Sequence, residues 1–205
     1  MLSTSSAIIQ AVKIRCDREL SLMGYYYFDF KDVAKQGVRG LLTSLLSQLC
    51  AKSDACYKII SNLYWENNAG SQQPANKALT ECLKQLLRLS DVPMIYILVD
   101  AIDECPNTSG FPTAREEVLG LLGQLLRLNI SNLRLCVTSR PEIDIRTVLE
   151  PLTSLCISLE NQIGQQQAIL GYISDFVHSD PHMQKWTPEI KQLVIDTLSA
   201  KAGGM

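Results

Sequence analysis

The chain has 205 residues, 46% of them hydrophobic and 20% charged, values that fit a globular protein of one domain or one and part of another and exclude wholesale disorder. Nineteen Lys and Arg stand against 21 Asp and Glu, a net charge of −2, so no basic excess exists to neutralise a phosphate backbone and nucleic acid is not an expected partner. The apolar run Met94 to Val99 is six residues long, against the ~20 that a membrane span needs, so no membrane partner is expected either.

The seven cysteines (Cys16, Cys50, Cys56, Cys82, Cys105, Cys136, Cys156) are odd in number, scattered and free of any C-x-x-C pair. That argues against zinc and for small hydrophobes in a reducing compartment, so the expected location is cytoplasmic. Met1 to Gln10 has no basic segment followed by a long apolar one, so the triplets at Asn107 and Asn129 read as chance matches to a glycosylation signal.

Residues 2–20 read as a helix. Gly24 opens an extended run, Tyr25-Tyr26-Tyr27-Phe28-Asp29-Phe30, dense in aromatic strand formers. It reads as a core strand and not as a base-stacking platform. Val38, Leu41, Leu42, Leu45, Leu46 and Leu49 then fall on one face of an amphipathic helix. A second helix covers 54–65, a polar loop 66–75, and a third helix carries Leu79, Cys82, Leu83 and Leu86 and ends near Ser90. Met94-Ile95-Tyr96-Ile97-Leu98-Val99 is apolar throughout, the pattern of a strand buried on both faces of a parallel sheet. Residues 100–112 read as a loop. Thr113 and Glu116 make a capping box for a helix with Val118, Leu121, Leu122, Leu125 and Leu126. Leu133 to Thr138 is a third strand, a short helix follows Pro141, and Thr153 to Leu159 is a fourth strand. Helices at about 164–178 and 188–200 close the chain, with Thr187 as cap and Pro188 in the first position of the last. Strands separated by helices predict an α/β fold with a parallel sheet. The predicted division is an α/β core over 1–160 and the beginning of a helical unit over 161–205.

The chemistry sits where strands end. Ile97-Leu98-Val99-Asp100-Ala101-Ile102-Asp103-Glu104 delivers a carboxylate at the C-terminal edge of a buried strand, the edge at which open α/β sheets bind ligands. In a phosphate-binding NTPase an Asp there holds Mg²⁺ through water, and a second acid a few residues on orients or deprotonates the attacking water. Ala101 is small enough to leave room beside it. The plainer reading is that Asp100 ends a strand and Asp103 caps the next turn. Leu135-Cys136-Val137-Thr138-Ser139-Arg140-Pro141 ends a second strand in groups able to sense a γ-phosphate. Its plainer reading pairs Arg140 with Glu142 or a neighbouring acid, in a turn that leads into a helix. His178 and His182 flank Asp180-Pro181, which interrupts helical geometry, so they read as exposed loop histidines before a metal pair. No G-x-S-x-G elbow supports a serine hydrolase.

The runs I-L-V-D-A-I-D-E-C-P and C-V-T-S-R-P-E-I-D-I resemble the NACHT domain of STAND-class NTPases, closest to the nephrocystin-type NACHT proteins of filamentous fungi. Y-Y-Y-F-D-F-K-D followed by L-L-T-S-L-L-S-Q-L resembles the family's second strand and following helix. The resemblance covers almost the whole chain. It implies an ATP- or GTP-driven switch for self-association and signalling, in non-self recognition or cell death, with NACHT relatives or further copies as partners. It makes Asp100 the Walker B magnesium ligand, Asp103 the group that positions water and Glu104 its support. Thr138, Ser139 and Arg140 become sensor 1.

The family's Walker A loop, G-x-x-x-x-G-K-[ST], is absent, since none of the eleven glycines is followed by Lys. Ser3, Thr4, Ser5 and Ser6 open what resembles the helix after that loop, and Ala202-Gly203-Gly204-Met205 resembles the start of a winged-helix junction. Three readings follow: an NTPase fragment inactive as it stands, a non-catalytic module that binds relatives, or an incomplete gene model. In the family the strand before the Walker loop lies between the strands placed here at 133–138 and 153–159, so the expectation is a slot between those two or their collapse together.

Overall fold

A computed structural model describes residues 4–19, 21–89, 94–108, 110–158 and 163–202. The chain divides into two compact units, one ending at Thr153 and the other beginning at Ser154.

In the first unit, α1 (Thr4–Glu19) leads to β1 (Leu22–Tyr27), α2 (Val38–Cys50), α3 (Asp54–Glu66), α4 (Asn76–Leu87) and β2 (Ile95–Asp100). α5 (Ala114–Arg127), β3 (Leu133–Val137) and α6 (Ile143–Leu149) follow. The described strands form one parallel sheet in the order β1-β2-β3. Leu22 lies beside Ile95 and Tyr27 beside Asp100, while Ile95 lies beside Leu133 and Val99 beside Val137. Both connections are helical, the usual form of the long crossover that parallel pairing requires.

The centre of the sheet is dry. Ile95, Ile97 and Val99 are buried, as the unbroken apolar run predicts. On one face α2 packs Leu41, Leu42, Leu45 and Leu49, all at 0% exposure. It comes so close that a Cβ on Gly24 would lie 3.0 Å from Leu45 Cδ2. Strand alternation turns Leu98 and Asp100 to the other face, where Ile8 and Ile9 of α1 line a shallow cleft with them. Asp100 therefore ends the central strand on the α1 side of the sheet.

Several local signals act as read. Thr113 Oγ1 accepts from the Glu116 amide at 3.2 Å, and the Glu116 carboxylate accepts from the Thr113 amide at 2.7 Å, closing the capping box of α5. The outer edge of β1 carries a device that periodicity does not show. Gln48 of α2 accepts from the Tyr25 amide at 3.1 Å and donates to its carbonyl at 2.7 Å. One side-chain amide thus satisfies the groups that a further strand would take.

The fourth strand is corrected. Residues 153–158 form no strand, and Leu159 lies outside the described residues. Leu155 is 74% exposed and Ile157 62%, so the segment has β-forming composition but no ladder to join. Propensity alone does not make a strand; pairing and a buried face do. With three strands among the described residues, the expected slot between residues 133–138 and a fourth strand has no second wall.

The second unit holds α7 (Ile163–Ser179) and α8 (Pro188–Ala202), which pack on each other with Val177 and Ile195 buried. Pro188 is the first residue of α8. His178 lies in the last turn of α7 and not in a loop, its Nδ1 2.8 Å from the Ser174 carbonyl, and the His182 amide donates to Asp180 at 2.8 Å; both side chains are exposed. No described helix is long and apolar enough to cross a membrane.

Candidate functional site at the C-terminal sheet edge

The loops that leave β1, β2 and β3 at their C-terminal ends are tied to one another. The central tie is Thr138, the residue after β3. Its amide donates to the Val99 carbonyl at 3.0 Å, and its hydroxyl donates to the Asp100 carboxylate. The same oxygen accepts from the Ala101 amide at 3.1 Å, and the Thr138 carbonyl accepts from the Ile102 amide at 3.2 Å. A hydroxyl can donate once and accept at the same time, so one side chain serves both neighbours.

Those contacts hold an unfavourable backbone. Ala101 has φ 56° and ψ 49°, the left-handed region, which costs a non-glycine residue about 1–2 kcal/mol. The turn swings the chain out of β2 into a 3₁₀ turn over Ile102–Glu104, anchored by the fully buried Ile102. Ala101 forms the tight corner between β2 and that turn.

The next acids face different neighbours. Asp103 is nearly buried, its side chain 10% exposed, while Arg140 is 81% exposed. Asp103 Oδ1 accepts from the Arg140 amide at 3.1 Å, and Oδ2 lies 3.3 Å from Arg140 Nε. The exposed guanidinium adds little to stability. The amide bond matters more, because it satisfies a carboxylate that burial would otherwise penalise. Of the two partners the plainer reading offered Arg140, the side chain takes a neighbouring acid, Asp103. Glu104 turns to the β1 loop and accepts from the Phe30 amide at 3.2 Å. Ser139 is exposed and donates to the Arg140 carbonyl at 2.8 Å. Asp100, Asp103, Thr138 and Arg140 are therefore assembled at one edge, with Glu104 and Ser139 on its flanks.

Tyr27, level with Asp100 across the sheet, completes the α1 side. Burial pushes its phenol up, the Asp100 charge adds to this, and a hydrogen bond with Ser6 of α1 works the other way. The cleft between α1 and the sheet, lined by Ile8, Ile9, Leu98, Asp100, Cys136 and Thr138, has room for about one water molecule.

The donor set decides what could be held here. Among the described residues no cluster of three or more His, Cys, Asp or Glu is placed to enclose a metal. A single carboxylate at a sheet edge, oriented by a hydroxyl, fits a hard divalent cation gripped largely through water. The residues do not fit a triphosphate: no Gly-Lys occurs in the chain to cradle it, and Arg140 is paired with Asp103. No described cysteine is in a disulfide. Burial pushes the Cys50 thiol up to about 12 and that of Cys105 to about 11, so neither is a thiolate nucleophile at neutral pH.

Reading the sequence missed Arg115. It sits in the first turn of α5, where the helix dipole disfavours a cation. That misplacement is the only local signal it gives. Its partners are 10 to 29 residues away, so spacing could not find them.

A family model described as Nephrocystin 3, N-terminal matches residues 3–140. The match covers about two thirds of the chain and ends on Arg140, so it contains Asp100, Asp103, Glu104, Thr138, Ser139 and Arg140. No curated protein and no solved structure matches the chain.

Proposed function

The chain belongs to the Nephrocystin 3, N-terminal family, and on that footing we propose that it carries the Walker B and sensor 1 parts of a NACHT-type nucleoside-triphosphatase switch, without a Walker A loop. In this reading Asp100 faces Mg²⁺ through water. Asp103 and Glu104 hold the acidic loop, and Thr138, Ser139 and Arg140 form the sensor turn. The supporting observation is the bridge by Thr138, whose hydroxyl bonds the Asp100 carboxylate and the Ala101 amide together. A change in charge at Asp100 alters the group on which the sensor turn is hung. With no glycine-lysine pair to hold phosphates, the chain is expected to bind the cation weakly and to turn over neither ATP nor GTP. The partners in this reading are further copies of the chain or NACHT relatives.

Isothermal titration calorimetry tests the reading. Mg²⁺ at millimolar concentration should give heat that disappears in Asp100→Asn, while phosphate release from ATP stays at the buffer rate. No heat with Mg²⁺, or heat unaffected by Asp100→Asn, defeats the proposal. Repeating the titration with Mg-ATP and Mg-GTP shows whether phosphates add affinity.

A second reading, a non-catalytic interaction module, draws on Tyr57, Tyr64 and Trp65 of α3, which are 63%, 49% and 68% exposed. Large exposed aromatics are enriched at protein contacts. Concentration-dependent self-association in light scattering, together with no heat from Mg²⁺, would favour it.

A further inference from the structure

Arg115 is buried to 6% exposure, and burying a guanidinium is costly unless its donors are paired. Each of its three nitrogens has a partner. Nε donates to the Cys105 carbonyl at 2.9 Å and Nη2 to the Asp103 carbonyl at 2.6 Å. Nη1 donates to the Glu142 carboxylate and to Asp144 at 3.2 Å. The first two acceptors belong to the acidic loop after β2. The last two lie at the start of α6, just past the sensor turn.

These contacts close a ring. Arg115 holds the backbone of Asp103 and the carboxylate of Glu142. The Glu142 amide donates to the Arg140 carbonyl at 2.8 Å, and the Arg140 amide donates back to the Asp103 side chain at 3.1 Å. Asn107 braces it from outside, donating to Asp144 at 3.0 Å and accepting from Thr113 at 3.0 Å. Apart from the Glu142–Arg140 bond, which closes the turn within the segment after β3, each link joins one loop to the other or to the start of α5, so neither loop can shift without breaking a bond to the ring.

We propose that Arg115 is a positioning residue that makes the Asp103–Asn107 loop and the Thr138–Asp144 segment move as one unit. Only a forked, planar donor can serve both: a lysine at this place has one nitrogen for four acceptors set in different directions. The functional meaning of the coupling rests on the reading of this edge as a cation and sensor site, but the coupling itself does not, and it is tested on the ligand-free chain.

The experiment is amide hydrogen exchange read by mass spectrometry on the whole chain, for wild type, Arg115→Lys, Asp103→Asn and the double variant. Arg115→Lys should speed exchange in peptides covering 103–107 and 139–142 about five- to tenfold, the factor expected for losing the net contribution of one hydrogen bond. Asp103→Asn should do the same at 139–142. In the double variant the effects at 139–142 should not multiply, because both break one ring. A purely structural staple between α5 and α6 would give multiplying effects, and that result overturns the proposal. Exchange at 139–142 unchanged within twofold in Arg115→Lys also overturns it. If Arg115→Lys does not fold, Glu142→Gln with Asp144→Asn opens the ring from the solvent side and should speed exchange at 103–107; no change there is equally fatal. Because none of these readouts uses Mg²⁺, they stand apart from the calorimetric test of Asp100.

Discussion

Gly40→Ala is expected to cost about 3 kcal/mol, although the same exchange in an ordinary helix gains about 1 kcal/mol. Gly40 lies in the first turn of α2, where a Cβ would sit 2.4 Å from the Ala34 carbonyl oxygen and 2.4 Å from the Tyr26 hydroxyl. The first obstacle is backbone and cannot rotate away, so α2 or the loop before it must move. That loop contains Phe30, whose amide is held by Glu104, so the disturbance reaches the candidate site. Gly120→Ala provides the contrast. Gly120 is an exposed residue of α5 with nothing within 4 Å of an added Cβ, so alanine should stabilise there by about 1 kcal/mol. Urea unfolding of the two variants should give midpoints that move in opposite directions. A Gly40→Ala midpoint at or above wild type would show that the Tyr26–Ala34–Gly40 contact is wrongly drawn.

The second large effect is alkaline. Tyr26 is 7% exposed, and its hydroxyl has no hydrogen-bond partner among the described residues. Burial pushes its phenol up to about 12, with smaller contributions from the charges of Asp32 and Cys105. The unfolded chain ionises this phenol near pH 10, before the folded chain does. Stability from keeping it neutral is therefore complete below about pH 10 and is lost as pH rises through about 12, a total of about 3 kcal/mol. Tyr26→Phe removes the titrating group and the unsatisfied hydroxyl together. Its stability relative to wild type should be level or slightly higher at pH 8 and should gain about 3 kcal/mol between pH 10 and 12. Buried thiols begin to lose stability at lower pH in both proteins, so the difference isolates the phenol. Parallel curves for the two would reject the assignment.

How far the sequence carried these features depends on the range of the interaction. The faces of α2 and α5, the Thr113 capping box and the parallel sheet rest on spacings of a few residues or on a single apolar run, and such signals are local. The two strand ends could also be read as neighbours, because α/β sheets gather strand termini at one edge. The partners at that edge were not legible. Asp103 and Arg140 are 37 positions apart, as are Ala101 and Thr138, and only the fold chooses among the nearby acids and hydroxyls. Gln48 on the β1 edge and Arg115 under the loops have the same character. Each is a polar residue on a helix whose purpose is set by the backbone groups that tertiary packing leaves unpaired. The segment at 153–158 failed for the opposite reason: its composition asked for a strand, but pairing needs a neighbour that no local pattern supplies.

The wiring at the sheet edge has one use under the proposed function, which is to report the state of Asp100 to the turn that carries Arg140. Paramagnetic Mn²⁺, which takes the same carboxylate and water ligands as Mg²⁺, tests this directly in a two-dimensional amide spectrum. The account predicts that sub-stoichiometric Mn²⁺ broadens the amides of Tyr27, Phe28, Asp100, Ala101 and Thr138 first, and that Asp100→Asn abolishes the pattern. Broadening centred on the exposed acids of α5, or a pattern indifferent to Asp100→Asn, would contradict it.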